Sequence, residues 1–236
     1  MFTLTVSTSV LAAKMSTDFQ ADFSNATVFE TSSLYSWKGG WNNKNNDLSI
    51  GSYSGTWKNK KSEKTRFGRT KGKMTTEILL NHDTYGSWLM SCSGNRITKK
   101  NSLGMQSGSQ EPIDYQCLMQ QGEQTAVLVL LPYKKPKFKL GPPIENRSLY
   151  ITLPDGREFN GKSIHALVGK KKNYHKATGF KISDGSNVVG GVGVKSIFVT
   201  ADLAGNLDEH FIFMAGLGLE FFRKNDLSQD KDELFR

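Results

Sequence analysis

The sequence predicts a mainly β protein, a single closed or nearly closed antiparallel β-barrel around a buried hydrophobic C-terminal helix. Two observations carry this. The run from Asp208 to Arg223, DEHFIFMAGLGLEFFR, is apolar on every side of a helix, since Phe211, Ile212, Phe213, Met214, Ala215, Leu217, Leu219, Phe221 and Phe222 leave no polar stripe. Such a helix must be buried all round, and it is shorter than the roughly 20 apolar residues of a bilayer span. Almost everything upstream reads as short strands closed by Gly, Asn or Pro, so strands have to supply the enclosure.

With 236 residues the chain is long enough for a sizeable core, and one barrel domain over 18–224 is expected. If it divides, the halves are 18–133 and 144–224. Residues 1–17 contain alternating Phe2, Leu4 and Val6, as in a strand, and a Val10-Leu11-Ala12 step of the kind signal peptidase cuts. The segment lacks a basic leader, so it reads as a processed-signal remnant or a first strand, with a slight preference for export over a cytoplasmic home.

From Asp18 to Tyr53 the pattern is that of hairpins, with Phe29, Tyr35, Trp37 and Trp41 on or near the inner face. The stretch TWKNKKSEKTRFGRTKGKM is expected to be a strand end and an exposed basic loop returning into the strand MTTEILL. SWLMSCSG and DYQCLMQQ are strand-like and flank a Ser, Gly and Asn stretch, Ser93 to Ser109, expected to be mobile. TAVLVLLPY is a continuous apolar run that predicts a strand buried on both faces. Pro132, Pro136, Pro142 and Pro143 punctuate a basic connector. SLYITLPDGREF turns at Asp155-Gly156; SIHALVG, GFKISDGSNVVGGVG and SIFVTADL add further strands, the middle one turning through Asp184-Gly185-Ser186-Asn187.

Asn206 or Asp208 is placed to cap the terminal helix, with Asp208 and Glu209 in its first turn and Arg223 and Lys224 at its other end. Gly216 and Gly218 cost it about 1 kcal/mol each relative to Ala, and the expected return is room for strands to approach. Gly190, Gly191 and Gly193 are expected to relieve crowding against the same helix. Residues 225–236 read as a polar tail.

The segment Gly179 to Lys224, GFKISDGSNVVGGVGVKSIFVTADLAGNLDEHFIFMAGLGLEFFRK, places in order an FKI strand, an Asp-Gly turn, a Val and Gly strand, a further strand and a closing apolar helix. In this it resembles the tubby C-terminal-like superfamily, which includes phospholipid scramblases and LURP-one-related proteins. The resemblance implies a twelve-stranded barrel threaded by the helix and, for some members, phosphoinositide binding or a part in lipid movement. No tubby ligand residue maps onto a position here. The scramblase segment proposed to bind calcium corresponds to Asp202, Asn206, Asp208 and Glu209, in a spacing that departs from both the scramblase and EF-hand patterns. The cysteine-rich and proline-rich scramblase segments are missing, which speaks against a scramblase proper.

A net charge of +9 makes an anionic partner physically reasonable without choosing one. The densest basic cluster is Lys58, Lys60, Lys61, Lys64, Arg66, Arg69, Lys71 and Lys73, with Trp57 and Phe67 interleaved and Glu63 opposing. Charge there can seat phosphates while an aromatic touches acyl chains or bases; an ordinary solvated segment is the competing reading. Lys170, Lys171 and Lys172, and Lys134, Lys135, Lys137 and Lys139, are secondary clusters. Cys92 and Cys117 are the two cysteines, on strand-like runs, and read either as a disulfide in an oxidising compartment or as two buried thiols.

His82, His165, His175 and His210 lack the spacing of a helical zinc site and are expected in turns or at the surface. GSYSG carries Tyr where a nucleophile elbow needs Ser, and Gly190, Gly191 and Gly193 do not make a dinucleotide fingerprint. Candidate carboxylate pairs among Glu77, Asp83, Glu111, Asp114 and Glu123 depend on spatial separation. The expectation is therefore a non-catalytic binding protein without cofactor or metal, engaging an anionic membrane surface or a protein partner, with no specific nucleic acid and no transmembrane segment. An exported structural or interaction protein with one disulfide, and a hydrolase with a dispersed site, are the alternatives.

Overall fold

The computed structural model describes residues 15–36, 46–66, 69–100, 106–132, 144–167, 174 and 176–227. Twelve strands form one antiparallel sheet: β1 (Thr27–Glu30), β2 (Asn46–Ile50), β3 (Tyr53–Arg66), β4 (Arg69–His82), β5 (Gly86–Lys100), β6 (Gln106–Gln121), β7 (Gln124–Leu130), β8 (Ser148–Thr152), β9 (Glu158–Ile164), β10 (Gly179–Asp184), β11 (Asn187–Gly193) and β12 (Ser196–Val199). Their spatial order is β1-β12-β11-β10-β9-β8-β7-β6-β5-β4-β3-β2, a meander that folds back until its first two strands form the edges. The sheet nearly closes into a barrel, and the helix α3 (Leu207–Leu227) fills it. The proline-rich connector lies between β7 and β8, which are hydrogen-bonded neighbours in the one sheet.

Every residue of α3 from His210 to Arg223 is buried, as all-round apolarity requires. Asn206 caps it: its Oδ1 accepts the Asp208 and Glu209 backbone N–H groups at 2.9 and 3.2 Å. Helix and sheet interlock through absent side chains. A Cβ on Gly216 would lie 2.5 Å from Ile197 Cγ2 of β12, one on Gly190 of β11 would lie 2.4 Å from Ile212 Cγ2 of the helix, and one on Gly218 would meet Cys117 Sγ at 2.8 Å. Near its C-terminal end the helix carries a buried ion pair, Glu220 with Arg223 at 2.7 Å. Thr31 donates to Glu220 Oε1 at 3.1 Å, and Arg223 Nη1 donates to the Thr178 carbonyl at 2.6 Å, so strand-side groups share the pair.

Several elements differ from expectation. Thr17–Asp22 is a helix, α1, inside the segment read as hairpins. Ser16 caps it by accepting the Phe19 N–H at 3.4 Å, and Phe19 and Phe23, four residues apart, lie on one face. That face packs outside the barrel: Met15, Phe19, Phe23, Val194 and Phe198 form a second apolar cluster. Gly191 and Gly193 serve this outer contact, a Cβ on Gly191 falling 2.6 Å from the Phe23 ring; Gly190 alone of the three faces α3. Ser33–Ser36 forms a short helix, α2, whose Leu34 carbonyl accepts from Lys224 and so ties the barrel seam to α3.

Lys58 to Arg66 and Arg69 to Lys73 are paired strands where an exposed loop is expected, and the stretch from Ser93 to Ser109 lies largely within β5 and β6. β7 is buried on one face only, with Val127 and Val129 half-buried on the other. Residues 1–14, Trp37, Trp41, the 133–143 connector, Lys170 to Lys172, His175 and 228–236 lie outside the described residues.

Candidate functional site

The basic cluster is built by register. β3 and β4 pair in one unbroken antiparallel ladder from Tyr53↔His82 to Arg66↔Arg69. Side chains alternate across a strand and directly opposed residues share a face. Trp57 and Asn59 therefore point inward with Ile78 and Thr76, all buried, while Lys58, Lys60 and Lys64 of β3 and Lys71 and Lys73 of β4 share the outer face. Lys64 stands directly opposite Lys71. Like charges so placed destabilise a ladder by a few tenths to about 1 kcal/mol, so fold stability does not account for them. From Lys58 to Lys64 the row runs roughly 20 Å at the usual strand rise. One acid enters it among the described side chains: Glu77, opposite Lys58 and 3.9 Å from Lys60 Nζ, a contact exposed on both sides.

Lys61, Arg66 and Arg69 take their places in the same two strands, Arg66 opposite Arg69, with side chains outside the description. The sequence gathered these residues as a cluster because they are close in the chain. It did not show that strand parity sorts five of them onto one face.

A second constellation lies at the end of the barrel where α3 begins. The Tyr53 hydroxyl is hydrogen-bonded to His210 Nδ1, and the His210 ring lies 3.9 Å from Tyr85, 5.0 Å from His82 and 5.6 Å from Trp88, centroid to centroid. His210 is buried, against the expectation of a surface or turn position, and so is His165, pinned between Ser163 and the Tyr174 and Lys176 carbonyls. Burial, with His82 nearby as a lesser cause, pulls His210 down to about 4. Burial first, then Glu209 and Tyr85, raises the Tyr53 phenol above its ordinary range. Tyr53 therefore stays protonated and donates to Nδ1, leaving the ring proton of neutral His210 on Nε2.

His82 Nδ1 accepts the Thr84 and Tyr85 backbone N–H groups at 3.2 and 3.3 Å, which puts its proton on Nε2 as well. Trp88 Nε1 and His210 Nε2 are buried without a hydrogen-bond partner. Arranged so, the cluster offers N–H donors and no free imidazole lone pair for a metal.

Three of the residues at the start of the helix are engaged with protein groups. Asp208 takes Arg157 at 2.8 Å, Glu209 Oε2 accepts the Gly205 N–H at 2.6 Å, and Asn206 is the cap. Among the described residues no group of three His, Cys, Asp or Glu could hold a metal ion. Cys92 and Cys117 form a disulfide, buried, between directly opposed positions of β5 and β6 with their Cα atoms 3.9 Å apart. Among the described residues no helix is long and apolar enough to cross a membrane. No family model, curated protein or solved structure matches this chain.

Proposed function

We propose that this is a non-catalytic binding protein that docks on an anionic phospholipid surface through the outer face of the β3–β4 ribbon. The observation that carries the reading is the opposition of Lys64 to Lys71 within a face that also holds Lys58, Lys60 and Lys73. A partner supplying negative charge turns that repulsion into attraction, and each lysine near an anionic leaflet contributes about 1 kcal/mol. The twelve strands around an apolar helix accord with what the resemblance to tubby-like proteins implies, and lipid is the ligand class that resemblance suggests.

Flotation with vesicles of phosphatidylserine in phosphatidylcholine tests it. Capture is expected at low salt, falling as ionic strength shortens the Debye length, and absent on pure phosphatidylcholine. Lys64→Gln with Lys71→Gln is expected to weaken capture roughly thirtyfold. Equal capture by both vesicle types, or by neither, removes the reading; capture by single-stranded nucleic acid in preference to vesicles replaces it.

The disulfide favours a second reading, an exported structural or interaction protein, because such bonds persist in oxidising compartments. Alkylation of denatured protein from its natural source should add mass only after reduction. Two alkyl groups added without reductant would remove that support.

A further inference from the structure

The sequence of β7 is apolar at nearly every position, yet the barrel covers it on one side only. Its outer residues, Val127 and Val129, belong to a larger feature. Five large apolar side chains are exposed among the described residues: Leu79, Leu89, Leu118, Leu131 and Tyr150, each between 38% and 47% exposed. The register joins all five. Leu79 of β4 opposes Leu89 of β5; Leu89 opposes Gln120, two residues from Leu118 on β6; Leu118 opposes Val127; and Val129 opposes Tyr150 of β8. Leu131 follows Val129 two residues on, and its N–H bonds the Ser148 carbonyl.

The result is an outward apolar stripe across five neighbouring strands, stepping diagonally past Gln120 between β5 and β6 and roughly 20 Å wide at the usual strand spacing. On β10 to β12 the corresponding outer apolar surface is sealed by Phe19 and Phe23 of α1. Nothing among the described residues seals this one. It also abuts the basic ribbon, because Leu79 and Glu77 are successive outward residues of β4 and Glu77 opposes Lys58. Cations beside an exposed apolar strip match a surface that is anionic outside and apolar just beneath, which is a phospholipid bilayer. A nucleic acid offers no such apolar layer.

We infer that the Leu79–Leu89–Leu118–Tyr150 stripe is the part of the barrel wall that enters the interfacial region of an anionic bilayer while the β3–β4 lysines rest on its headgroups. This rests on the lipid reading of the ribbon. The contact is one-sided and peripheral: the main apolar core lies inside the barrel, around α3, and the outer apolar surface of β11 and β12 is covered by α1, the reverse of a membrane-spanning barrel with its apolar band outward.

Because both native cysteines are joined, Leu118→Cys supplies a single thiol for an environment-sensitive fluorophore, and Asp184→Cys, at the end of β10, supplies the control. On phosphatidylserine-containing vesicles the probe at 118 is expected to shift to the blue and be quenched by lipids carrying a spin label on the acyl chain, while the probe at 184 does neither. Leu89→Asp with Leu118→Asp is expected to lower vesicle partitioning roughly tenfold and to leave the salt-sensitive remainder. Capture with the probe at 118 still in water and the double variant unimpaired would overturn the inference and leave the electrostatic reading standing. No capture by either protein removes both. Dimers in sedimentation equilibrium that Leu118→Asp dissociates, without vesicle capture, assign the stripe to a second copy of the chain and also overturn it.

Discussion

His210 shows how one buried side chain sets a response to acid. Its imidazole faces Tyr53, His82, Tyr85 and Trp88, with Glu209 next to it in the chain, and it titrates near 4 where a free histidine titrates near 6.5. Between those values the unfolded chain takes up a proton that the folded chain refuses, so stability falls as pH drops through that window. The loss at pH 4.5 relative to pH 7.5 is expected to be about 2 kcal/mol in urea unfolding. His210→Gln, which does not titrate, should lack that part of the slope; an unchanged slope would show that another group carries it. Nothing in the residue pattern marks His210 as buried. His210 sits one position before the apolar run, and only the closing of β3, β4 and β5 around that end encloses it.

At the scale of elements, α3 is the most legible part, because an all-round apolar helix too short to span a bilayer has to be covered by the strands of a strand-rich chain. Its glycines make room for the sheet, as their cost in helix propensity implies. Ile197 of the sheet fills the notch at Gly216, and Ile212 of the helix fills the notch at Gly190, a reciprocal fit. In an exposed helix Gly→Ala adds stability of about 1 kcal/mol. Here Gly216→Ala is expected to lose about 1 to 2 kcal/mol, since overpacking outweighs propensity, and chemical denaturation reads the sign directly. A gain would mean the notch is not needed.

Other elements depart from the local pattern because tertiary pairing overrides it. The spacing of Phe19 and Phe23 is helical, but short polar surroundings made the segment look like strand alternation. KNKKSEKTR has little β-propensity of its own, and its strand character comes from pairing with β4, which is a tertiary effect. For the same reason the basic site was legible as composition and not as a face: strand parity matters only once the register is fixed.

For the whole molecule, helix and sheet are one cooperative unit, each supplying the other's apolar covering. The inner residues of β5, β6, β7 and β12, among them Trp88, Met90, Leu128 and Ile197, are buried in the same cluster as Phe213 and Leu217. A chain ending at Asn206 is therefore expected to lack a folded core, with no sigmoidal thermal transition by circular dichroism. A sharp transition would mean that the barrel packs without its filling.

The closing of the seam has a consequence for synthesis. β1 finds its partner only when β12 has been made, and Thr31 meets Glu220 across 189 residues of chain. During translation the nascent polypeptide must therefore hold a dozen half-buried strands with their greasy sides unanswered until the final helix leaves the ribosome. Its fate at that moment is a race between insertion of the helix and aggregation.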